Sequence, residues 1–287
     1  MYHITDDEFE AFQQLVYAET GIVLNDSKRC LLCSRLAKRL RALHLNDYID
    51  YYDYLLRRDS GGVEMQEMIN CITTNKTDFF RESHHFEFLA SHVMPEVVAR
   101  AAKGGPRRLR IWSAACSLGH EPYSIAITVR ESAVNDPTWD VRILASDIDT
   151  LVLAQAADGV FDQDDLAPAG DMLLRRYFDR GVGAFAGKVR AKSSLRSLLT
   201  FRQINLIHDA WPIRARFDVI FCRNVMIYFD TETQRRVVER LVQYLNPGGY
   251  LMLGHSESIQ WSPNPLRSLG NTVFQLVEAG AGKSGIA

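Results

Sequence analysis

The segment RIWSAACSLGHEPYSIAI, residues 110–127, constrains the fold more than any other part of the chain. It opens as a buried strand, continues through a loop of small residues and ends in a helical pattern that carries Glu121 in its first turn. The small side chains between Ser113 and Gly119 allow a ligand to approach the backbone closely. The segment therefore predicts a strand–loop–helix unit that cradles a nucleotide-type cofactor.

The loop of this unit also limits which cofactor can bind. It lacks the G-x-G-x-x-G spacing that seats a pyrophosphate on a helix N-terminus, and it supplies the carboxylate of Glu121 instead. We expect that charge to repel a diphosphate but to tolerate a cation that bears an adenosine, such as S-adenosylmethionine. Glu121 is also explained as a first-turn carboxylate favoured by the helix dipole, and both interpretations can hold together.

Beyond about residue 107, apolar strands alternate with helices, which is typical of an α/β domain whose parallel sheet is covered on both faces. The predicted strands are 109–114, 141–146, 200–205, 217–222 and 249–254, followed by an edge hairpin at 266–277 that turns at Gly270 and Asn271. Residues 162–199 break the repeat, and we interpret them as an inserted β-hairpin or small sheet. Such insertions often carry partner contacts, and a plain surface excursion without them is an equal alternative.

The remaining segments complete the predicted domain organisation. Residues 1–72 have only helical periodicity, and residues 73–106 form a linker and helix that contribute to the cofactor site. The catalytic domain is assigned to residues 107–278, and the tail 279–287 is predicted to be disordered.

Composition excludes several classes of protein. The net charge is −2, so the chain has no general affinity for nucleic acid. No signal peptide and no apolar run of about 18 residues is evident, which predicts a cytoplasmic protein without direct membrane insertion. Cys30 and Cys33 have C-x-x-C spacing but lack a second pair, and we predict reduced thiols and no bound metal.

Two polar groups follow predicted strands at the edge where doubly wound sheets bind ligands. Asp147 closes one strand and can accept hydrogen bonds from ribose hydroxyls, although it could instead cap the next helix, a role that Asp149 fits better. Arg223 and Asn224 follow another strand, where an ordinary turn is as good an explanation. For His84 and His85 we favour a surface or capping role over acid–base chemistry.

Four blocks in this order, TNKTDFFRE, WSAACSLGHEPYS, ASDIDT and FCRNVMIYF, resemble the bacterial chemotaxis receptor protein-glutamate O-methyltransferases. The resemblance covers nearly the whole chain. It implies a methyltransferase dependent on S-adenosylmethionine, with a Rossmann-like seven-stranded sheet, an all-α N-terminal domain and a small inserted antiparallel β-subdomain. In the loop, Leu118 and His120 replace the Thr and the first Glu of the family pattern S-T-G-E-E-P.

The resemblance also implies site residues. Asn75, Thr77 and Arg81 would lie beside the cofactor, Glu121 near its methionine portion, Asp147 on the ribose, Asn205 and Leu206 beside the adenine, and Arg223 and Asn224 at the closure of the pocket. Arg81 and Tyr228 would lie nearest the methyl group. The acceptor, a glutamate carboxylate with a pKa near 4.3, is already ionised and needs no general base.

Two surfaces are candidates for substrate recognition. Lys28, Arg35, Lys38 and Arg39 cover one arc of a predicted helix, which is either a solvated basic face or a docking surface for the acidic helical bundle of a chemoreceptor. The insertion carries Gly181, Gly183, Gly187, Arg190 and Lys192, and could bind a receptor C-terminal peptide by strand addition. We expect a monomer. Two alternatives stay open: a methyltransferase of a small molecule or RNA, and a non-catalytic signalling adaptor.

Overall fold

The N-terminal part of the computed structural model is a small helical bundle with its own core. The structure describes residues 2–261 and 265–277, so the predicted tail 279–287 lies outside the described residues. The helices of the N-terminal bundle are α1 (Asp6–Thr20), α2 (Arg29–Ala42), α3 (Tyr48–Arg57) and α4 (Val63–Ile72). A capping box between Thr5 and Glu8 starts α1, and the left-handed Gly21 ends it.

Apolar residues at helical spacing hold this bundle together. Phe9, Phe12 and Val16 of α1 are buried against Leu36 and Leu40 of α2, in a cluster that also includes residues of α3 and α4. None of the helices in the described residues is long and apolar enough to cross a membrane.

An irregular segment leads from α4 to a helix with three parts. The helix comprises α5 (His84–Phe88), a π-helical turn at Leu89–Val93, and α6 (Met94–Ala102). It packs on the sheet beside α7 (His120–Arg130), because both helices contribute buried side chains to the same cluster as Leu109 and Ile111.

The central sheet has seven strands, and its order places the first strand near the middle. In spatial order they are β6 (Leu199–Gln203), β2 (Asp140–Asp147), β1 (Arg108–Ala114), β7 (Phe217–Cys222), β8 (Leu245–Leu253), β10 (Val273–Leu276) and β9 (Leu266–Gly270). The first five are parallel, whereas β10 is antiparallel to both of its neighbours. The sheet is therefore mixed rather than wholly parallel.

Both faces of this sheet are covered, as the alternation of strands and helices predicts. Leu109 and Ile111 of β1 face one apolar cluster, while Trp112 and Ala114 face another that includes α11 (Thr231–Gln243). The helix α8 (Thr150–Asp158) follows β2. This α/β sandwich confirms the predicted fold class.

The predicted strand boundaries need three corrections. β6 ends at Gln203, two residues before the predicted end, and β8 begins at Leu245, four residues before the predicted start. The edge hairpin is present, but its turn is formed by the left-handed residues Asn271 and Thr272.

The segment that breaks the strand–helix repeat is a small antiparallel sheet. Its strands are β3 (Val160–Asp162), β4 (Phe178–Arg180) and β5 (Lys188–Ala191), with β5 in the centre, and its helices are α9 (Gly170–Tyr177) and α10 (Ser193–Arg196). This confirms the predicted inserted sheet. Phe161 and Phe178 anchor it to the main body, where both pack on Phe79.

Candidate active site

A deep cleft opens at the carboxyl ends of β1, β2 and β7, between the sheet and the helical bundle. Its empty volume is about 1160 Å³, which includes the solvent-filled space at its mouth. All residues that the resemblance assigns to the cofactor or the reacting methyl group line it: Asn75, Thr77, Arg81, Glu121, Asp147, Asn205, Leu206, Arg223, Asn224 and Tyr228. Such a crevice at strand ends is where open α/β sheets bind ligands.

The loop after β1 is shaped by its small residues. Ala115 and Ser117 adopt left-handed backbone angles, with φ values of 59° and 50°, and the amide of Cys116 donates to the carbonyl of Ser146 at 2.8 Å. Gly119 then starts α7 with φ 93°, where an added Cβ would lie 2.9 Å from Cβ of Ala156. Backbone therefore lines this side of the cleft, as the sequence predicts.

Asp147 lies at the end of β2 and is almost wholly buried. One carboxylate oxygen accepts from the amide of Ser117 at 2.8 Å, and the other accepts from the amide of Asp149 at 2.9 Å. Burial raises the pKa of Asp147 to about 6, although these amide hydrogen bonds oppose the shift. Its oxygens keep unused lone pairs, because each accepts a single backbone amide.

Asp149 has the capping role that the sequence favours for it. Its Oδ1 accepts from the amides of Leu151 and Val152 at the start of α8. Its Oδ2 accepts from Thr73 Oγ1 at 2.6 Å and from Asn75 Nδ2 at 2.8 Å. Asp149 therefore positions Asn75 and ties the segment after α4 to the catalytic domain.

Arg223 is a buried cation between two carboxylates. Its side chain is 2% exposed; Nη1 lies 3.0 Å from Glu121 Oε2 and Nη2 lies 3.2 Å from Glu82 Oε2. Nη2 also donates to the carbonyl of Arg81, and Ser113 Oγ donates to Glu121 Oε1 at 2.7 Å. The loop alone suggested that Glu121 presents an isolated negative charge to a ligand. The ion pair with Arg223 corrects that expectation.

Glu257 is a site residue that the sequence analysis missed. Its carboxylate accepts from the amides of Gly254, Asn224 and Met226 at 2.6 to 2.9 Å. These bonds hold Asn224 in a left-handed conformation with φ 58°. The signal that could have revealed it is the polar run HSES, one residue beyond β8, at the same sheet edge as Arg223.

Arg81 and Tyr228 both line the cleft. Arg81 forms no ion pair in the described part of the chain, and its Nη1 donates only to the carbonyl of Lys76, at 3.2 Å. The ammonium of Lys28 lies 5.4 Å from the centre of the Tyr228 ring. Arg81 thus keeps donors free for an anion.

Asn205 and Leu206 line the cleft but do not end a strand. They lie beyond β6, and the side-chain amide of Asn205 already forms hydrogen bonds within the protein. Its Nδ2 donates to the carbonyl of Glu19 at 2.7 Å, and its Oδ1 accepts from the amide of Ile207 at 3.2 Å. Asn205 therefore joins α1 to the wall of the cleft.

The basic arc on α2 is not an open charged face. Arg39 forms a bidentate ion pair with Glu64 at 2.6 and 2.8 Å, and Arg35 donates to the carbonyls of Ile72 and Thr73. Arg35 and Arg39 are half-buried and already paired, so the four basic side chains do not form the continuous exposed surface that the sequence suggested. Lys38 is exposed, and Lys28 lines the cleft.

The residues singled out in the insertion lie away from the cleft. Gly183 and Gly187 have positive φ angles of 59° and 83°, and an added Cβ at Gly181 would lie 2.1 Å from the carbonyl oxygen of Phe185. The chain therefore needs these glycines for its own loop. Arg190 is exposed, whereas Lys192 donates to the carbonyls of Arg175 and Arg176.

His85 is buried, which corrects its predicted surface role. Its Nε2 lies 3.0 Å from the carbonyl of Asn271, and burial lowers the pKa of His85 to about 4. Ligand-type atoms of Glu82, His84 and His85 come within 4.8 Å of one another. The guanidinium of Arg223 beside Glu82 disfavours a metal cation there.

His120, one of the two departures from the family loop, packs between Phe79 and the insertion. It is 5% exposed, its ring lies 4.7 Å from that of Phe79, and its Nε2 lies 3.5 Å from Asp165 Oδ2 in the insertion. Leu118 is half-buried beside it. The histidine is thus accommodated by its own contacts with Phe79 and with Phe161 and Asp165 of the insertion.

Comparison with known proteins agrees with this geometry. Residues 7–73 match the family model described as CheR methyltransferase, all-alpha domain, and residues 75–274 match CheR methyltransferase, SAM binding domain. Chemotaxis protein methyltransferase 2 of Pseudomonas aeruginosa is 46% identical over 95% of this chain and 94% of its own length. The chemotaxis protein methyltransferases of Klebsiella aerogenes and Escherichia coli are each 42% identical, over 96% and 95% of this chain and 91% and 92% of their own lengths. The chain therefore belongs to the CheR methyltransferase family, and its cofactor is S-adenosylmethionine.

Proposed function

We propose that this protein methylates glutamate side chains of chemoreceptors, with S-adenosylmethionine as the methyl donor, giving glutamate γ-methyl esters. The observation that carries the proposal is the position of Arg81. Arg81 lines the cofactor cleft, as Tyr228 does, and its guanidinium lacks an ion-pair partner among the described residues. An unpaired arginine is well suited to hold an incoming carboxylate.

The cofactor residues fit S-adenosylmethionine. Asp147 would accept the ribose hydroxyls, because its carboxylate is buried and only partly used by two amides. Glu121 and Arg223 would border the methionine portion, while Asn75, Thr77, Asn205, Leu206 and Asn224 would line the rest of the pocket. When bound, the cofactor supplies an electrophilic methyl group and leaves as S-adenosylhomocysteine.

The protein's own part in the reaction is alignment. A glutamate carboxylate is ionised near neutral pH, so no side chain has to remove a proton. Arg81 would hold one carboxylate oxygen while Tyr228 limits the direction of attack by the other. Orienting two reactants in this way can contribute roughly 7 to 11 kcal/mol to lowering the barrier.

The direct test replaces Arg81. We expect Arg81→Ala to lose turnover on receptor-containing membranes while it binds S-adenosylhomocysteine with unchanged affinity in calorimetry. Arg142→Ala is the matched control, because Arg142 is exposed and lies on β2 far from the strand's carboxyl end. Near-normal turnover of Arg81→Ala would refute the assignment.

The chemical nature of the product separates the proposal from its alternatives. A glutamate methyl ester releases labelled methanol in mild base, whereas methylated RNA or an N-methylated product does not. Base-stable label would favour another methyltransferase substrate, and binding of the cofactor without any label transfer would favour a signalling adaptor.

Receptor contacts are proposed on two surfaces. Lys28 and Lys38 could meet an acidic helical bundle, with Arg35 and Arg39 holding α2 in place. A receptor C-terminal peptide could add to a free edge of the small sheet, near Arg190 and the exposed Val182 and Phe185. We further propose a cytoplasmic monomer.

Calorimetry with a receptor C-terminal peptide tests the second surface. Val182 is 82% exposed beside β4, so Val182→Asp should abolish peptide binding. Val63→Asp is the control, because Val63 is 71% exposed on the helical bundle. Absence of binding to the unaltered protein would exclude peptide tethering.

A further inference from the structure

We propose that Glu257 positions Asn224 and Tyr228 for the reaction, by fixing the backbone of the segment that carries both. Glu257 is 4% exposed and lies behind the wall of the cleft, whereas Asn224 and Tyr228 line it. It is a positioning residue, because it acts through these two residues and not by touching the cofactor or the acceptor. The inference rests on the proposed function and deepens it, since alignment is the protein's part in that reaction.

The carboxylate of Glu257 is held by the backbone. Its Oε2 accepts from the amides of Gly254 and Asn224 at 2.6 and 2.9 Å, and its Oε1 accepts from the amide of Met226 at 2.8 Å. Three amides of two separate chain segments thus converge on two oxygens. A buried carboxylate that accepts several amides fixes the relative position of the segments that donate them.

These contacts favour an ionised carboxylate. Burial raises the pKa of Glu257, while the amide hydrogen bonds act in the opposite direction. An ionised carboxylate accepts at both oxygens, so it can satisfy all three amides at once. Glutamine has the same shape but a single acceptor oxygen, and its NH₂ group would have to face at least one amide N–H. Glu257→Gln therefore breaks this arrangement while it preserves the volume of the side chain.

One oxygen of Glu257 fixes a strained residue in the wall of the cleft. Asn224 has φ 58°, in the left-handed region that residues other than glycine seldom adopt. A Cβ added to Gly254 would lie 2.4 Å from Nδ2 of Asn224 and 2.9 Å from its backbone nitrogen, so glycine is needed for the two segments to approach this closely. Such strain persists only where the surroundings fix it, and Oε2 supplies that restraint by bonding both segments.

The other oxygen fixes the turn that carries Tyr228. Residues Met226–Tyr228 form a short 3₁₀ turn, and Oε1 of Glu257 accepts from its first amide. The far end of the turn is held separately, because the amide of Val23 donates to the carbonyl of Tyr228 at 2.9 Å and Gln234 donates to the carbonyl of Phe229 at 3.0 Å. Loss of the Glu257 contact therefore tilts the turn without unfolding it, and changes how the Tyr228 ring faces the cleft.

The test measures two quantities on Glu257→Gln. We expect kcat for methyl transfer to receptor-containing membranes to fall by on the order of 100-fold, with little change in the KM for receptor, because a misplacement of about 1 Å can cost that much. Affinity for S-adenosylhomocysteine in calorimetry should fall by on the order of tenfold. Asp218→Asn is the matched control, because Asp218 is also 4% exposed and accepts a backbone amide, but at the amino end of β7. It should lower stability and leave kcat of the folded protein unchanged.

Double mutants separate positioning from a merely structural role. If Glu257 acts through Tyr228, adding Glu257→Gln to Tyr228→Ala should lower kcat little further. If it acts through Asn224, adding Glu257→Gln to Asn224→Gly should weaken S-adenosylhomocysteine little further. Independent sites give losses that multiply, so multiplied losses in both pairs would overturn the inference.

The remaining outcomes keep this inference distinct from the proposed function. If the unaltered protein transfers no methyl group to the receptor, the proposed function fails, and the affinity for S-adenosylhomocysteine still decides whether Glu257 positions Asn224. A folded Glu257→Gln with unchanged kcat and affinity overturns the inference. If Glu257→Gln does not fold, Gly254→Ala disturbs the same contact through its added Cβ, and normal kcat and affinity there overturn the inference.

Discussion

The buried carboxylate of Asp147 should make cofactor affinity depend on pH. Burial raises its pKa to about 6 in the unliganded protein, so protons and ribose hydroxyls compete for the same oxygens near neutral pH. If the ionised form alone binds, the dissociation constant rises about twofold at pH 6 and about tenfold at pH 5, relative to pH 8. We therefore expect tighter binding as pH rises from 5 to 7 and a plateau above.

Protonation of Asp147 weakens cofactor binding but stabilises the fold, so affinity and folding stability change in opposite directions with pH. Because the folded pKa of Asp147 lies above its ordinary value of 3.8, its contribution to folding is full below pH 3.8 and is lost as pH rises through about 6. Cofactor binding shifts the protonation equilibrium of Asp147 back toward the ionised carboxylate. Binding near pH 5 should thus release close to one proton.

S-Adenosylhomocysteine is the ligand for this measurement, because neither its amino nor its carboxyl group titrates between pH 5 and 7. Calorimetry at constant ionic strength gives the affinity, and buffers of different ionisation enthalpy give the protons released. Asp147→Asn is the control, and its weaker affinity should not vary with pH. Equal affinities at pH 5 and pH 7, or the same pH dependence in Asp147→Asn, would refute the reasoning.

Three further predictions concern stability. Phe79→Ala should cost about 3 to 5 kcal/mol in denaturant unfolding because it removes a buried ring that anchors the inserted sheet, whereas Phe185→Ala, on an exposed loop, should cost almost nothing. Arg39→Ala should cost about 3 kcal/mol because the buried Glu64 carboxylate loses its cation and keeps only the Tyr51 hydroxyl, and an effect no larger than that of the exposed Arg41→Ala would contradict this. The lowered pKa of His85, about 4, predicts that its contribution to stability is full above pH 6.5 and falls by at most about 3 kcal/mol as pH drops to 4. His85→Gln should flatten that part of the curve.

Local pattern was sufficient for most of the architecture. The buried strand and small-residue loop before Glu121 predicted the cradle, because periodicity and side-chain size act within a few residues. The ends of β6 and β8 were wrong, since strand ends depend on pairing with neighbours that a single segment does not reveal. The sequence predicted the inserted sheet but left open whether it carries partner contacts or is a plain surface excursion.

The sequence by itself determined the fold class, the edge of the sheet where ligands bind and the residue types gathered there. Only the tertiary structure decided which charges meet. Arg223 lies between Glu121 and Glu82, and Arg39 is bound by Glu64, although these partners are far apart along the chain. Burial and ion pairing depend on distances in space, so they fixed the charge of the cleft and removed Arg35 and Arg39 from the expected open surface.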